Sequence, residues 1–245
     1  MNSMRIAART DIGLVRDNNQ DSYAACELEG GAVLAVVCDG MGGAAEGALA
    51  SSEAVRVVKE RVAERYYSGM SDISVRSLLV ASVESANKYI YDLSLTDKNF
   101  EGMGTTVVAA LAIESFVYIV HAGDSRAYKI TDGQIYQLTR DHSVVQRMIE
   151  NGEITAAEAT DHPSKHIITR ALGVDEEIRT DFCQESLDDG DVIILCSDGL
   201  TNFVSNDVIL ELTSKTNCFD LPGKLVDLAN QNGGGDNITV VAVAH

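Results

Sequence analysis

Proline and tryptophan are nearly missing from this 245-residue chain, which has two prolines, Pro163 and Pro222, and no tryptophan. So few prolines exclude a proline-rich linker or stiff spacer. With no Ser-rich tract and no internal repeat either, one compact domain over residues 1–245 is expected. Cysteine is scarce and odd in number: Cys26, Cys38, Cys183, Cys196 and Cys218 form no CxxC pair. That argues against zinc-finger and dithiol frameworks and predicts reduced, buried thiols in a reducing compartment. No apolar run approaches the length that crosses a bilayer, and residues 1–10, with Arg5 and Arg9, lack the apolar centre of a signal peptide. A cytoplasmic protein without membrane insertion is the expectation. Basic residues are also short, 19 against 37 acidic ones for a net charge of −18. A nucleic acid or an anionic membrane needs a positive face, so neither is an expected partner.

What is present is a series of short strand-like runs rich in Val and Ile and bounded by Gly, Asp and Asn. They lie at 4–10, 23–27, 32–38, 105–113, 116–122, 126–131, 135–138, 179–185, 192–196 and 238–243. Asp132-Gly133 between two of them is a hairpin signal. Two long helical stretches, 45–67 and 75–93, sit together between the third and fourth strands; shorter helices are predicted at 143–151, 206–213 and 221–231. Strands that arrive in runs, with helices clustered between the runs, predict an α+β fold of antiparallel sheets covered by helices. The segment 139–174 carries His142, His162, His166 and Pro163 and reads as an excursion beside the functional face.

The aspartates fall in a pattern. Ala35-Val36-Val37-Cys38 leads into Asp39-Gly40-Met41-Gly42-Gly43, and Ile193-Ile194-Leu195-Cys196 leads into Ser197-Asp198-Gly199. Val120-His121-Ala122 leads into Gly123-Asp124-Ser125-Arg126, and Gly233-Gly234-Gly235 into Asp236-Asn237. A buried strand holds its terminal residue rigidly, and a neighbouring glycine admits close approach of backbone or ligand. Carboxylates gathered at one sheet edge repel each other unless cations neutralise them, and oxygen-rich clusters suit hard cations such as Mg²⁺ or Mn²⁺. Any one Asp-Gly pair is an ordinary turn; four such termini in one chain point to a metal site. Arg16, in the polar loop before Gln20-Asp21, offers a planar charged fork suited to a phosphate dianion.

Arg16 with Gln20-Asp21, Asp39-Gly40-Met41-Gly42-Gly43, Gly104-Thr105-Thr106, Gly123-Asp124-Ser125-Arg126, Ile168-Thr169-Arg170-Ala171-Leu172-Gly173, Ser197-Asp198-Gly199-Leu200 and Gly235-Asp236-Asn237-Ile238-Thr239 form an ordered set. In order and spacing the set resembles the type 2C metal-dependent serine/threonine protein phosphatases, in particular their small bacterial members. The resemblance implies a four-layer αββα sandwich, two antiparallel sheets flanked by helix pairs, with 139–174 as a flap near the metal site. It implies two core Mn²⁺ or Mg²⁺ ions, with a third, weaker one. Asp39 would bridge the two, Asp198 and Asp236 would complete the first ion's ligands, and the Gly40 carbonyl would serve the second. Asp124 would help hold the third, and Arg16 would bind the substrate phosphate. A metal-bridging hydroxide would attack phosphoserine or phosphothreonine in proteins. The implied partners are phosphorylated proteins, including a serine/threonine kinase and its substrates, and the implied state is a monomer.

Two departures from the family pattern bear on this. Gln20 stands where many relatives have glutamate near the second ion, so Asp21 is the candidate to assist, directly or through a water. Met41 stands where eukaryotic members have a histidine proposed to protonate the leaving group; His162 and His166 are the remaining candidates for that acid. No cysteine is followed six positions later by arginine, which excludes the cysteine-nucleophile phosphate loop, and Asp189-Gly190-Asp191 reads as a turn. Three rival readings remain: a catalytically weak or inactive phosphoprotein-binding regulatory module, a phosphatase dedicated to one anti-sigma antagonist, and a metal-dependent nuclease. The acidic balance speaks against the last.

Overall fold

A computed structural model of the protein describes residues 4–245. Strands β1 (Arg5–Asp11), β2 (Asp21–Glu27) and β3 (Val33–Met41) precede helices α1 (Ala44–Arg65) and α2 (Asp72–Ser94). Then come β4 (Gly104–Thr105), β5 (Val107–Ile113), β6 (Phe116–Ala122), β7 (Arg126–Thr131) and β8 (Gln134–Gln137). Two short helices, α3 (Val144–Glu150) and α4 (Ala156–Thr160), lead to β9 (Asp181–Ser186) and β10 (Val192–Cys196). Helices α5 (Asp198–Thr201), α6 (Asn206–Lys215) and α7 (Leu221–Gln231) precede the last strand, β11 (Ile238–Ala244).

One antiparallel sheet runs β1-β11-β10-β7-β8; the other runs β2-β3-β5-β6-β9, with β4 paired to β3. Period-2 alternation distributes each strand's side chains between two cores. In β3, Val33, Ala35 and Val37 fill the space between the sheets, while Leu34, Val36 and Cys38 face α1 and α2. In β11, Val241 and Val243 join the inter-sheet core, while Ile238, Val240, Ala242 and Ala244 pack beneath α7. The buried residues of α2, Val75, Leu78, Leu79, Ser82, Val83, Ala86, Asn87 and Ile90, recur at three- and four-residue spacing and form a single stripe on the sheet side. Ser71 caps that helix by accepting from the Ser74 N–H at 3.3 Å. The result is the expected α+β sandwich of helices, sheet, sheet and helices.

The Asp132-Gly133 turn has both residues at positive φ, 50° and 71°, and pairs Thr131 with Gln134, as a two-residue hairpin requires. The chain differs from the sequence expectation in three places near the functional edge. First, β2 starts at Asp21 rather than at 23, because the ladder with β3 extends to an Asp21–Asp39 pair. Second, β3 continues through Asp39 and Gly40 to Met41 instead of turning after Cys38, because β4 pairs with its end. Third, the strand expected over 105–113 is broken at Thr106, which holds Asp39 rather than continuing the ladder. The turn at Asp189-Gly190 is present. Among the described residues no helix is long and apolar enough to cross a membrane.

Candidate metal centre

The ends of β3, β6 and β10 and the start of β11 meet at one edge of the sandwich. Asp39, Asp124, Asp198 and Asp236 all line a single cleft of ≈ 830 Å³ there, together with Arg16 and Gly40. Four sequence stretches separated by up to about 200 positions (39 to 236) thus deliver their carboxylates to one place. Asp39 is fixed through its backbone: its N–H donates to Thr106 Oγ1 at 2.9 Å, and its carbonyl accepts from Thr106 N–H and Thr105 Oγ1, both at 2.9 Å. Asp198 is the first residue of α5, where the helix N-terminus favours a carboxylate, and its Oδ2 accepts from Asn202 Nδ2 at 3.0 Å. Asp236 Oδ1 accepts from the Asn237 N–H at 2.8 Å, and its Oδ2 accepts from Arg16 Nη2 at 2.9 Å.

Asp21 lies behind this row, buried, directly opposite Asp39 in the ladder. Its Oδ2 accepts from Ser197 Oγ at 2.7 Å, but its Oδ1 is buried without a hydrogen bond, and so is Oδ1 of Asp198. Burial pushes the Asp21 carboxyl up to about 7, reinforced by the charges of Asp198 and Asp236. Asp124 is likewise pushed up to about 7, first by burial and then by Asp198 and Asp141. Asp39 is raised well above the carboxylate range by burial and by the charges of Asp21, Asp198, Asp124 and Asp236. Asp198 is raised by burial and by Asp236. Crowded like charges with orphaned oxygens are what a binding site for hard cations presents before its ions arrive, and an all-oxygen donor set suits Mg²⁺ and Mn²⁺. The residues therefore fit the divalent ions that the sequence implies.

Close packing rather than a left-handed backbone selects glycine at positions 40 and 199. A Cβ at Gly40 would overlap the Gly47 carbonyl of α1, and a Cβ at Gly199 would overlap the carbonyl of Asn237, next to Asp236. Overpacking of this kind costs about 1–3 kcal/mol. Gly199→Ala is therefore expected to lower Tm by about 5 °C, at roughly 2–4 °C per kcal/mol for a chain of this size. A thermal melt with and without Mn²⁺ checks this; an unchanged melt in both would contradict it.

The sequence reading left out several residues that organise the cleft. Asn237 ties the single loop between β1 and β2 at three points: it accepts from the Gln20 N–H at 2.8 Å and donates to the Ile12 and Asn18 carbonyls at 2.9 and 3.0 Å. Ser197 joins Asp21 to the Thr239 N–H, and Thr106 and Asn202 line the cleft wall. Thr106, Ser197 and Asn237 stood in the motifs that carry the resemblance but with no role given to them, and Asn202 carried no sequence signal. Gln20 lines the cleft and donates to the Gly43 carbonyl at 3.1 Å. Met41 and His166 line it too, whereas His162, half-buried, does not line it and accepts from the Ser164 N–H at 3.1 Å.

Residues 139–174 stand over one side of the cleft, and His142 anchors them. Its N–H donates to the Gly123 carbonyl at 2.9 Å, while its Nδ1 accepts from the Gly123 N–H at 3.1 Å. With Nδ1 accepting, Nε2 carries the proton and faces Asp181 Oδ2 at 3.2 Å. His121, His142 and Asp181 are close enough together to hold an ion. Arg170 already supplies the positive charge, donating to Asp181 Oδ1 at 2.7 Å, so the trio reads as an anchor for the Gly123-Asp124 turn.

The protein phosphatase 2C profile matches residues 15–225 of the chain. The chain belongs to the protein phosphatase 2C family. It is 36% identical to the serine/threonine phosphatase Stp of Listeria monocytogenes over 98% of this chain and 95% of that protein. Among solved structures it is similar to the Streptococcus agalactiae serine/threonine phosphatase, with 36% identity, a TM-score of 0.92, and coverage of 98% of this chain and 99% of that one. It is similar also to the catalytic domain of the phosphatase PstP in complex with two manganese ions, at 35% identity and TM-score 0.87 over 99% of both chains. These matches agree with the sandwich of a small bacterial-type phosphatase 2C.

Proposed function

We propose that this protein serine/threonine phosphatase of the 2C family hydrolyses phosphoserine and phosphothreonine in cytoplasmic proteins, reversing the action of a serine/threonine kinase. The observation that carries the reading is the convergence of Asp39, Asp124, Asp198 and Asp236 beside Arg16 in one cleft. The 2C family is metal-dependent. In this chain Asp39, Asp198 and Asp236 would hold two core Mn²⁺ or Mg²⁺ ions with the Gly40 carbonyl. Asp21 would assist through the oxygen it leaves unpaired, and Asp124 would hold a third ion. When bound, the ions supply the hydroxide that attacks phosphorus and positive charge for the phosphoryl oxygens.

The chain's own residues do the rest. Arg16, half exposed at the cleft mouth, presents its guanidinium to the incoming phosphate dianion. Its ion pair with Asp236 holds the fork at the cleft until phosphate arrives. Asn202 and Ser197 orient Asp198 and Asp21, and Thr106 fixes the Asp39 backbone, so the carboxylates are aimed before substrate binds. His166, a residue lining the cleft, is the candidate to protonate the leaving oxygen, which Met41 cannot do. The chain would work as one catalytic domain, with 139–174 as its flap.

Phosphate release from a phosphothreonine peptide, with Mn²⁺ and with EDTA, tests the reading. Release that depends on Mn²⁺ is expected, and robust release in EDTA would overturn it. Arg16→Ala is expected to raise KM for the peptide about tenfold or more while Mn²⁺ affinity changes little, since charge-assisted bonds to phosphate are worth about 1.5–3 kcal/mol. An unchanged KM would remove Arg16 from the substrate site.

A further inference from the structure

Beside the catalytic cleft lies a second cavity of ≈ 320 Å³, between α3 and α4 on one side and the ends of β7 and β10 on the other. It opens into the cleft, since Asp124, Lys165, Asp198 and Asn202 line both. The Arg126–Asp141 part of its floor is internally spent. Arg126 gives Nε and Nη2 to Asp141 at 2.6–3.1 Å and Nη1 to Tyr128 Oη at 3.1 Å, and Gln137 donates to the same carboxylate at 2.9 Å. At the rim, Lys165 Nζ donates to the Thr160 carbonyl at 3.0 Å and Gln146 Nε2 to Glu150 at 2.8 Å. The wall left to meet a guest is the apolar surface of Val145, Ile149, Ala156 and Ala159. An anionic guest would meet the carboxylates of Asp124, Asp141 and Asp198, and a cationic guest would compete with the ions proposed for Asp124 and Asp198, whereas an aliphatic or aromatic side chain would bury against that wall.

We propose that this annex is a specificity subsite that takes an uncharged, apolar side chain flanking the phosphorylated residue of the protein substrate. The inference rests on the phosphatase reading above and deepens it. A peptide whose phosphate is engaged in the main cleft runs past the shared rim, and the annex is the adjoining depression able to hold one of its side chains. Asp124, Lys165, Asp198 and Asn202 at the shared rim set the distance between phosphate and side chain.

The test uses the full chain with Mn²⁺ and two kinds of substrate. One is p-nitrophenyl phosphate, which has no flanking residues. The other is a set of phosphothreonine peptides in which a single leucine, or a single lysine, is moved along a Gly/Ser background. Wild-type enzyme is expected to prefer leucine at one position by about tenfold in kcat/KM, the scale of one or two methylenes in an apolar pocket. Filling the annex with Ile149→Trp, or with the milder Ala156→Leu on an exposed helix start, is expected to erase that preference. Both variants should leave p-nitrophenyl phosphate turnover within about twofold of wild type. No leucine preference, a stronger lysine preference, or a preference that survives both variants overturns the subsite. Loss of p-nitrophenyl phosphate turnover in both variants also overturns it, since the annex would then be part of the catalytic centre itself. Failure of wild type on p-nitrophenyl phosphate would instead overturn the phosphatase reading and the subsite with it.

Discussion

Asp39→Asn is expected to abolish Mn²⁺-dependent turnover, with kcat/KM falling by at least about 10³-fold, while the metal-free protein becomes more stable. The two effects share one cause. Asp39 sits opposite Asp21 in the β2–β3 ladder and within the field of Asp198, Asp124 and Asp236, all of which raise its pKa beyond what burial does. If Asp39 is the ligand shared by the proposed ions, its loss removes several kcal/mol of charge stabilisation from the reaction, and about 4 kcal/mol corresponds to 10³ in rate. The amide is isosteric, and the bonds from Thr105 and Thr106 engage only the Asp39 backbone, so the strand end should stay in place. Without ions the variant has no carboxyl at this position to be either ionised among like charges or held protonated well above its ordinary value. A gain of about 1–3 kcal/mol, or about 5 °C in Tm, is expected in EDTA. Functional sites commonly hold this kind of local instability in reserve. Turnover within tenfold of wild type, or a lower Tm than wild type in EDTA, would show that Asp39 does not hold the ions.

Much of this site was legible in the sequence because it is built at the ends of regular strands. The apolar runs 33–38 and 192–196 leading into Asp-Gly, and Asp236 opening 238–243, marked where the aspartates would emerge. Which residues face which core is set instead by how the sheets and helices pack. The contribution of Asp21 was harder to read. Whether it joins the cluster depends on the register that pairs it with Asp39, and register is decided between strands rather than within one. Helices α4 and α5, of 5 and 4 residues, are too short to show a helical period. That is why Asp198 was read as ending a strand when it begins a helix whose Asn202 then orients it. The triple bridge made by Asn237 and the second cavity under α3 and α4 arise only from segments distant in the chain coming together.

The pH dependence of stability should show the same crowding from another side. In the metal-free protein Asp21 and Asp124 have folded-state values near 7 against 3.8 ordinarily. Between those values the folded state binds more protons than the unfolded one, so stability falls as pH rises and is lost as pH passes the folded value. His142 acts with the opposite sign. Burial lowers it from 6.5 to about 4, so its buried neutral ring costs stability as pH falls below 6.5. Burial lowers His121 in the same direction. A window from pH 6.5 to 8 takes in only the upper tail of these histidine effects, at most about 0.4 kcal/mol each in the opposite direction, and is dominated by the carboxylates. Across it each of Asp21 and Asp124 forfeits roughly 0.8 kcal/mol, and Asp39, raised well above the carboxylate range, adds to the loss. In EDTA, Tm is therefore expected to drop by about 5 °C or more from pH 6.5 to 8. Saturating Mn²⁺ should reverse the trend, raising Tm more at pH 8 than at pH 6.5, because ions bind the ionised carboxylates and displace their protons. A flat Tm in EDTA across this window, or an Mn²⁺ effect larger at pH 6.5, would mean that these carboxylates do not share one field and are not a cation site.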